Sequence, residues 1–234
     1  MKIAGLEKFS LIDYPKKISC IIFLFGCNFR CGFCHNPELV LGKNEGSFSE
    51  EEILNFLEKR KKQLDGVCIS GGEPLMTLKK SFVKKIKDLG YFVKIDTNGS
   101  FPERLKDFLE EKLVDFVAMD LKSSPKNYSK VAGVLVDLKK IEESIKLIVN
   151  SGVDYEFRTT IVEGFHSKEE IKDLGKWVKN LIGKKAKKYS IQGFKNKGKL
   201  LDESFGKKKD TSEKELKEIK KELADYFEEV EVRV

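Results

Sequence analysis

The sequence is poor in the residues on which many active sites and interfaces depend. Its 234 residues include two histidines, one tryptophan and five prolines, and only five arginines against 40 lysines. So few histidines leave no histidine–carboxylate pair or activated nucleophile from which acid–base catalysis is predicted. Nucleic-acid surfaces more often use arginine with interleaved aromatic residues. We therefore interpret the net charge of +7 as solvated lysine-rich helix faces and expect no nucleic-acid partner.

The sequence also lacks the segments that direct a protein to a membrane. No stretch approaches the roughly 18 apolar residues of a spanning helix. The start has no basic lead followed by an apolar stretch and a cleavage site. We expect a cytoplasmic protein of one domain, residues 1–234, with no membrane partner. Disulfides are rare in that reducing compartment. Since three of the five cysteines are clustered, we interpret the cluster as metal ligands and not as disulfide partners.

Short apolar runs alternate with segments of helical period along the whole sequence. Six strand-to-helix units predict parallel strands joined by right-handed helical crossovers. Six units are too few for a closed eight-unit barrel, so we predict an α/β fold with an open, partial barrel. The expected strands are 18–25, 67–70, 91–96, 114–121, 155–162 and 189–192, with a short final strand at 230–234.

Helix starts and one irregular stretch complete the predicted organisation. Serine followed three residues later by glutamate predicts a capping box at the start of a helix. Residues 195–210, rich in lysine and glycine, are expected to be loosely ordered. The predicted capping boxes are Ser49 with Glu52, Ser167 with Glu170, and Ser212 with Glu215.

Polar or glycine motifs follow all six predicted strands. Ligands of parallel α/β folds bind at the carboxyl ends of the strands. The sequence therefore predicts a ligand site formed by several strand ends. The motifs are residues 27–36, 71–74, 96–99, 120–122, 158–160 with His166 beyond them, and 192–194.

Three cysteines have the spacing Cys27-x3-Cys31-x2-Cys34. A structural zinc site needs four converging ligands, and the one nearby candidate, His35, adjoins Cys34 too closely to face the same ion easily. Three thiolates suit a [4Fe–4S] cluster with one iron left open. The other two cysteines, Cys20 and Cys68, lie inside apolar runs and are interpreted as buried thiols rather than ligands.

This cysteine motif, with the aromatic Phe33 before its last cysteine, resembles the signature of the radical S-adenosylmethionine (SAM) superfamily. The resemblance extends over nearly the whole chain. Residues 10–15 and 34–39 resemble more narrowly the glycyl-radical-enzyme activases, in particular those of the anaerobic ribonucleoside-triphosphate reductase, related to pyruvate formate-lyase activase. The chain departs from that branch at Lys16, where glycine is usual, and at Glu163, where proline is usual.

The resemblance implies a [4Fe–4S] cluster and SAM as cofactors, and roles for the strand-end motifs. The turn formed by Gly71, Gly72 and Glu73 would meet the amino group of SAM, because glycine allows close backbone approach. Lys122 would meet the SAM carboxylate. In the pyruvate formate-lyase activase branch, a monovalent cation beside SAM also has oxygen ligands, which match Asp96, Thr97 and Asp120 here. The remaining expected SAM contacts are Phe33, Asp96, Thr97, Asn98, Arg158 and His166.

The implied reaction is reductive cleavage of SAM to a 5′-deoxyadenosyl radical, which takes a hydrogen atom from a glycine of a partner glycyl radical enzyme. The expected electron donor is a flavodoxin- or ferredoxin-type protein, and residues 13–15 are expected to contact the partner's loop. One alternative is a radical SAM enzyme acting on a small molecule or RNA, although the chain has little spare length for such a module. Another is an electron-transfer iron–sulfur protein, which has no use for the motifs at 71–74 and 120–122.

Overall fold

Strands and helices alternate along the chain in this computed structural model, which describes residues 1–42 and 47–234. Two short 3-10 helices, Pro74–Met76 and Glu203–Lys207, are also present. The strands of the described residues are β1 (Ile3–Ser10), β2 (Ser19–Leu24), β3 (Gly66–Gly71), β4 (Phe92–Thr97), β5 (Phe116–Asp120), β6 (Asp154–Ile161), β7 (Ala186–Gly193) and β8 (Phe227–Arg233). The helices are α1 (Pro37–Leu41), α2 (Glu50–Arg60), α3 (Lys80–Asp88), α4 (Pro102–Glu110), α5 (Tyr128–Ala132), α6 (Leu138–Asn150), α7 (Lys168–Ile182) and α8 (Glu213–Leu223).

The strands follow one another in the sheet in chain order, from β1 to β8. The pairs β2–β3, β3–β4, β6–β7 and β7–β8 are parallel, whereas β1 runs antiparallel to β2. All six predicted strands are present as β2 to β7, and the final strand begins three residues earlier than expected. The predicted α/β class is confirmed, and this strand order is consistent with the predicted open six-unit barrel.

The chain forms two compact units. The first comprises residues 1–28, 38–97 and 103–118, and the second comprises 29–37, 98–102 and 119–234. The expectation of a single domain over residues 1–234 stays a prediction. Within the described ranges, no helix is both long enough and apolar enough to cross a membrane.

The core of the first unit includes a residue that we expected to contact a partner. Tyr14 is 3% exposed and packs in a cluster with Ile21, Cys68, Phe116 and Ala118. Its ring centroid lies 5.9 Å from that of Phe116. Burying an aromatic ring in a core stabilises the fold. The side chain is therefore not available to a partner's loop, and the expected contact of residues 13–15 is corrected for Tyr14.

The antiparallel strand β1 was not predicted from the sequence. Its residues include Gly5 and the adjacent charged pair Glu7 and Lys8, so no apolar alternation marks it. Its register against β2 is also irregular on either side of residues 5–7. The hydrogen bonds to β2 hold a segment that the side-chain pattern alone does not identify.

The three predicted capping boxes are formed completely at one helix and partly at the other two. The complete capping box is present at α2, where Ser49 and Glu52 bond reciprocally. At α7 and α8 the serine hydroxyls of Ser167 and Ser212 accept the expected backbone N–H bonds. The carboxylate of Glu170, however, turns to a different segment of the chain, described below.

A buried ion pair in the second unit was also missed. Glu156 on β6 is fully buried and accepts hydrogen bonds from Arg233 on β8 (2.7 Å) and from Ser190 on β7 (2.9 Å). A buried carboxylate is tolerated when such partners compensate its desolvation. The sequence did not reveal this pair because 77 residues separate Glu156 from Arg233.

Candidate functional site

In the first unit, the turn after β3 lies directly against the chain that leads to the first motif cysteine. A Cβ atom on Gly72 would lie 2.5 Å from the carbonyl carbon of Gly26 and 3.1 Å from the amide nitrogen of Cys27. On Gly71 it would lie 3.1 Å from the carbonyl carbon of Leu24. We expected these glycines to leave room for a ligand. Their missing side chains leave room for the protein's own backbone, and the expected approach of SAM to this turn stays a prediction.

Glu73 fixes this turn and joins it to the end of β4. Its amide donates to the Gly26 carbonyl at 2.7 Å. Its fully buried carboxylate accepts hydrogen bonds from the Leu75 amide (3.0 Å) and the Thr97 hydroxyl (2.8 Å). Two predicted site residues, Glu73 and Thr97, are therefore in contact. The expected contact between Glu73 and the SAM amino group stays a prediction.

Asp96, beside Thr97 at the end of β4, has polar neighbours of its own. Its Oδ2 accepts a hydrogen bond from the Ser70 hydroxyl (3.1 Å), and its Oδ1 lies 3.4 Å from the ammonium of Lys94. Lys94 is 3% exposed and also donates to the carbonyl of Asp13. Ser70 and Lys94 therefore fix the orientation of the Asp96 carboxylate at the end of β4.

In the second unit, helix α5 holds the loop that contains Cys31. The amide of Arg30 donates to the carbonyl of Ala132 at 2.8 Å, and the Cys31 sulfur lies 3.8 Å from the same carbonyl. Gly133, which follows α5, packs on the Arg30 backbone so closely that a Cβ would lie 2.7 Å from its carbonyl carbon. The helix end therefore fixes the chain on the N-terminal side of Cys31.

Residues 195–210, which we name the strap, hold the other side of the same loop. The amides of Leu201 and Asp202 donate to the carbonyls of Cys34 and Gly32, both at 3.0 Å. The ring of Phe205 is buried against Gly32, where a side chain would clash with it. The expectation of a loosely ordered stretch is therefore wrong, because backbone hydrogen bonds and a buried aromatic ring fix the strap to the cysteine loop.

Two aromatic contacts add to this attachment. The ring of Phe33, a predicted site residue, lies 6.2 Å from that of Phe205. His35 stacks on Phe194 with ring centroids 5.9 Å apart, and its Nδ1 donates to the carbonyl of Lys197 at 3.2 Å. His35 therefore supports the loop from the strap side.

The five thiols differ in burial and in where they lie in the fold. None of the five cysteines forms a disulfide, and burial raises the pKa of Cys20 and of Cys68 to about 12. Both lie within strands, as expected for inert thiols. Cys27 and Cys34 are half-buried, and Cys31 is buried, which raises its thiol pKa.

Across residues 1–42 and 47–234, no three histidine, cysteine, aspartate or glutamate side chains converge as ligands of one metal ion. A structural zinc ion requires four such ligands at about 2.0–2.3 Å. A [4Fe–4S] cluster does not require convergence on one point, because each thiolate binds a different iron. Cys31 and Cys34 lie in one loop of the second unit, and their thiols suit ligands of a cluster of this kind.

Asp120, Lys122 and Arg158 form an ion-pair network in the second unit. Asp120 accepts hydrogen bonds from Arg158 Nε at 2.9 Å and from Lys122 Nζ at 3.2 Å. Burial opposes its ionisation, but the two cations prevail and lower the pKa of Asp120 to about 2. For Lys122, burial disfavours the charged form, yet Asp120 raises its pKa above the ordinary value. The network therefore keeps Asp120 ionised and Lys122 protonated.

His166 is buried, and both of its ring nitrogens contact the protein backbone. Its Nε2 lies 2.8 Å from the carbonyl of Lys122, so it donates, and its Nδ1 accepts from the amide of Val162 at 3.0 Å. Burial lowers the pKa of this imidazole, which favours the neutral form. The ring thus orients the backbone at Lys122, while its predicted contact with SAM stays a prediction.

Glu170 is a residue of this region that the sequence did not identify. Its carboxylate accepts hydrogen bonds from the Ser123 hydroxyl (2.6 Å), the Ser124 amide (2.9 Å) and the Asn127 side-chain amide (2.6 Å). Burial opposes its ionisation, but these hydrogen bonds outweigh it and lower the carboxyl pKa. The glutamate therefore fixes the loop that follows Lys122, whereas the local serine–glutamate spacing had predicted a capping role.

Asn98 begins the second unit's short segment after β4. Its side-chain oxygen accepts hydrogen bonds from the amide of Ser100 (3.0 Å) and from the Ser100 hydroxyl (2.5 Å). The Ser144 hydroxyl donates to the carbonyl of Gly99 at 2.7 Å. Asn98 therefore orders its own turn, and its expected SAM contact stays a prediction.

The chain has similarities to known proteins in both sequence and fold. The sequence profile of the family described as Radical SAM superfamily matches residues 21–178. A Methanocaldococcus jannaschii protein assigned as a glycyl-radical enzyme activating enzyme, MJ1227, is 37% identical over 239 residues, which covers 99% of this chain and 95% of that protein. The pyruvate formate-lyase-activating enzyme of Clostridium pasteurianum is 30% identical over 188 residues, covering 77% of each chain. The crystal structure of Streptococcus suis SuiB bound to S-adenosylmethionine has a TM-score of 0.68 at 16% identity, over 91% of this chain and 51% of that one, which is a likeness of fold.

Proposed function

Because this chain belongs to the radical SAM superfamily, among its glycyl-radical-enzyme activating enzymes, we propose that its partner is the anaerobic ribonucleoside-triphosphate reductase. We also propose that a flavodoxin- or ferredoxin-type protein supplies the electron. The family's cofactors are a [4Fe–4S] cluster and SAM. When bound, these cofactors supply the one-electron chemistry that removes a hydrogen atom from a glycine of the partner.

The proposed cluster ligands are Cys27, Cys31 and Cys34. The observation that carries this assignment is the loop that contains two of them. It has free thiols and is held by backbone hydrogen bonds from α5 on one side and from the strap on the other. Such a preorganised ligand loop suits a cofactor whose open iron must stay in a fixed position.

Among the proposed SAM contacts, Lys122 carries a positive charge that suits the SAM carboxylate. Lys122 is held protonated by Asp120, and it is the side chain that we propose for the SAM carboxylate. His166 fixes the backbone of Lys122, and Glu170 fixes the two serines that follow it. On this proposal the protein binds and orients the cofactor, and no side chain acts as an acid or a base.

The monovalent cation implied by the resemblance fits these residues poorly. Both carboxylate oxygens of Asp120 already accept hydrogen bonds from positively charged side chains. A third cation there would be repelled by Arg158 and Lys122. On this proposal the cation therefore has no part in the reaction. The test is to compare SAM affinity in potassium chloride and in tetramethylammonium chloride. A strong requirement for potassium would show that a monovalent cation binds.

The proposed function is tested with anaerobically reconstituted protein, SAM, a strong small-molecule reductant and the anaerobic reductase of the same organism. We expect methionine release and a glycyl radical doublet in the electron paramagnetic resonance spectrum. The Cys31→Ala variant is the control and should give neither. A doublet with a pyruvate formate-lyase-type enzyme but not with the reductase would contradict the proposed partner. Failure to release methionine at all would contradict SAM cleavage itself.

A further inference from the structure

The strap concentrates positive charge. Its 16 residues contain six lysines and three acidic residues, Asp202, Glu203 and Asp210, and so contribute three of the seven net positive charges of the chain. Charge at this density on a surface attracts acidic partners and accelerates their encounter.

Three of these lysines have no ion-pair partner among residues 1–42 and 47–234. Lys197, Lys207 and Lys209 are exposed, and none of them forms an ion pair within the described part of the chain. Some helix lysines of the same unit are paired, for example Lys168 with Glu218 at 2.8 Å and Lys217 with Glu213 at 2.6 Å. Lys208 differs as well, because it donates to the carbonyl of Glu163 and lies over the ring of Phe205.

The strap holds this charge beside the cysteine loop. Leu201 and Asp202 donate directly to the backbone of Cys34 and Gly32. The backbone carbonyl of Lys197 accepts the hydrogen bond of His35, the residue after Cys34. The three lysines lie at most seven residues along the chain from these anchors, so the anchored backbone fixes the region that they occupy.

We propose that the strap is the docking surface for an acidic one-electron carrier protein that reduces the cluster, an inference that rests on the proposed function. One electron would pass from the carrier's flavin hydroquinone, which becomes the semiquinone, to the bound cluster. Lysine suits a brief complex of this kind, because its ammonium is strongly hydrated and its attraction is screened by salt. Weak redox complexes also have small interfaces.

Charge reversal on the strap tests the proposal in the cluster-loaded protein. The variant carries Lys197→Glu, Lys207→Glu and Lys209→Glu. The matched control carries Lys59→Glu, Lys84→Glu and Lys85→Glu, three exposed lysines on α2 and α3 that also form no ion pair within residues 1–42 and 47–234. Both proteins undergo the same change in net charge, so general electrostatics affects them equally. The probe is the hydroquinone of a strongly acidic bacterial flavodoxin.

The measurements are the second-order rate of cluster reduction, followed by absorbance, and the affinity for oxidised flavodoxin. We expect the strap variant to lose about tenfold or more of the rate at low salt, with a flatter salt dependence, and the control to lose far less. Equal losses in both variants would overturn the proposal. So would an unchanged flavodoxin rate in a strap variant that binds the glycyl radical enzyme more weakly, because the strap would then be that enzyme's surface.

Reduction by dithionite separates this proposal from the proposed function. Dithionite needs no docking surface, so the strap variant should be reduced by it, bind SAM and release methionine as the unmodified protein does. If the unmodified protein does not release methionine even with dithionite, the proposed function fails. If it does, and flavodoxin reduces both variants at the original rate, only the docking surface fails.

Discussion

Replacing Gly133 with alanine tests whether the end of α5 fixes the cysteine loop. Gly133 ends α5 with φ +70°, in the left-handed region, and packs on the Arg30 backbone. Gly183 ends α7 with nearly the same conformation, φ +71°, but a Cβ there would meet nothing within 4 Å. The pair of variants Gly133→Ala and Gly183→Ala therefore differs in packing and shares the backbone change.

The magnitude follows from two separate costs. Placing alanine in the left-handed conformation costs about 1–2 kcal/mol of unfolding free energy in both variants. Both also gain about 0.4–1 kcal/mol from a less flexible unfolded chain. Only in Gly133→Ala would the new Cβ lie 2.7 Å from a backbone carbonyl carbon, and overpacking of that kind costs about 1–3 kcal/mol. We expect Gly133→Ala to be less stable than Gly183→Ala by about that last amount.

Urea denaturation followed by far-ultraviolet circular dichroism measures the difference. Because Arg30 precedes Cys31, the Gly133→Ala variant should also retain less iron after reconstitution, and Gly183→Ala should retain the normal amount. Equal stabilities in the two variants, with equal iron contents, would refute the conclusion that the end of α5 fixes the cysteine loop.

Three further predictions concern the site. Cys31→Ala should abolish the cluster while Cys68→Ala retains it; iron and sulfide analysis decides, and stoichiometric zinc in place of iron would contradict the assignment. Gly72→Ala should lower cluster content as well as SAM affinity, because the new methyl group would displace Gly26. A normal iron content would show that the turn accommodates the methyl group without moving the chain before Cys27. Burial holds the pKa of His166 below its usual 6.5, so the unfolded state binds more protons than the folded state as pH falls. The free energy of unfolding should therefore be highest above about pH 6.5 and decrease as the pH is lowered. His166→Gln should remove most of that slope in urea titrations at pH 7.5 and 5.5, and an unchanged slope would argue against a buried neutral imidazole.

The strands that surround the site could be predicted because burial on both faces makes their sequences continuously apolar. Cys68 and its neighbours in β3, for example, are almost completely buried. The polar strand ends were recognisable for the same reason, since Asp120 interrupts an apolar run. Local sequence was sufficient for these elements because the pattern that identifies a strand lies within the strand itself.

The contacts that fix the site could not be predicted, because their partners lie far apart in the chain. Glu170 bonds to Ser123 across 47 residues, so the nearby serine made capping the better local interpretation. The close packing of Gly72 on Gly26 was missed because the sequence does not show that these two residues meet. The strap has the composition of a flexible loop, and only its distant hydrogen bonds to the cysteine loop order it.

The double attachment of the cysteine loop has a consequence for how the protein is made. Cys31 contacts a carbonyl 101 residues later in the chain, and His35 bonds to a carbonyl 162 residues later. The ribosome synthesises these partner residues only after the cysteines have emerged. A nascent chain that has reached only the cysteines therefore lacks the structure that holds them. We infer that iron is inserted after the C-terminal strap has been synthesised, so truncated chains ending before it should accept clusters poorly.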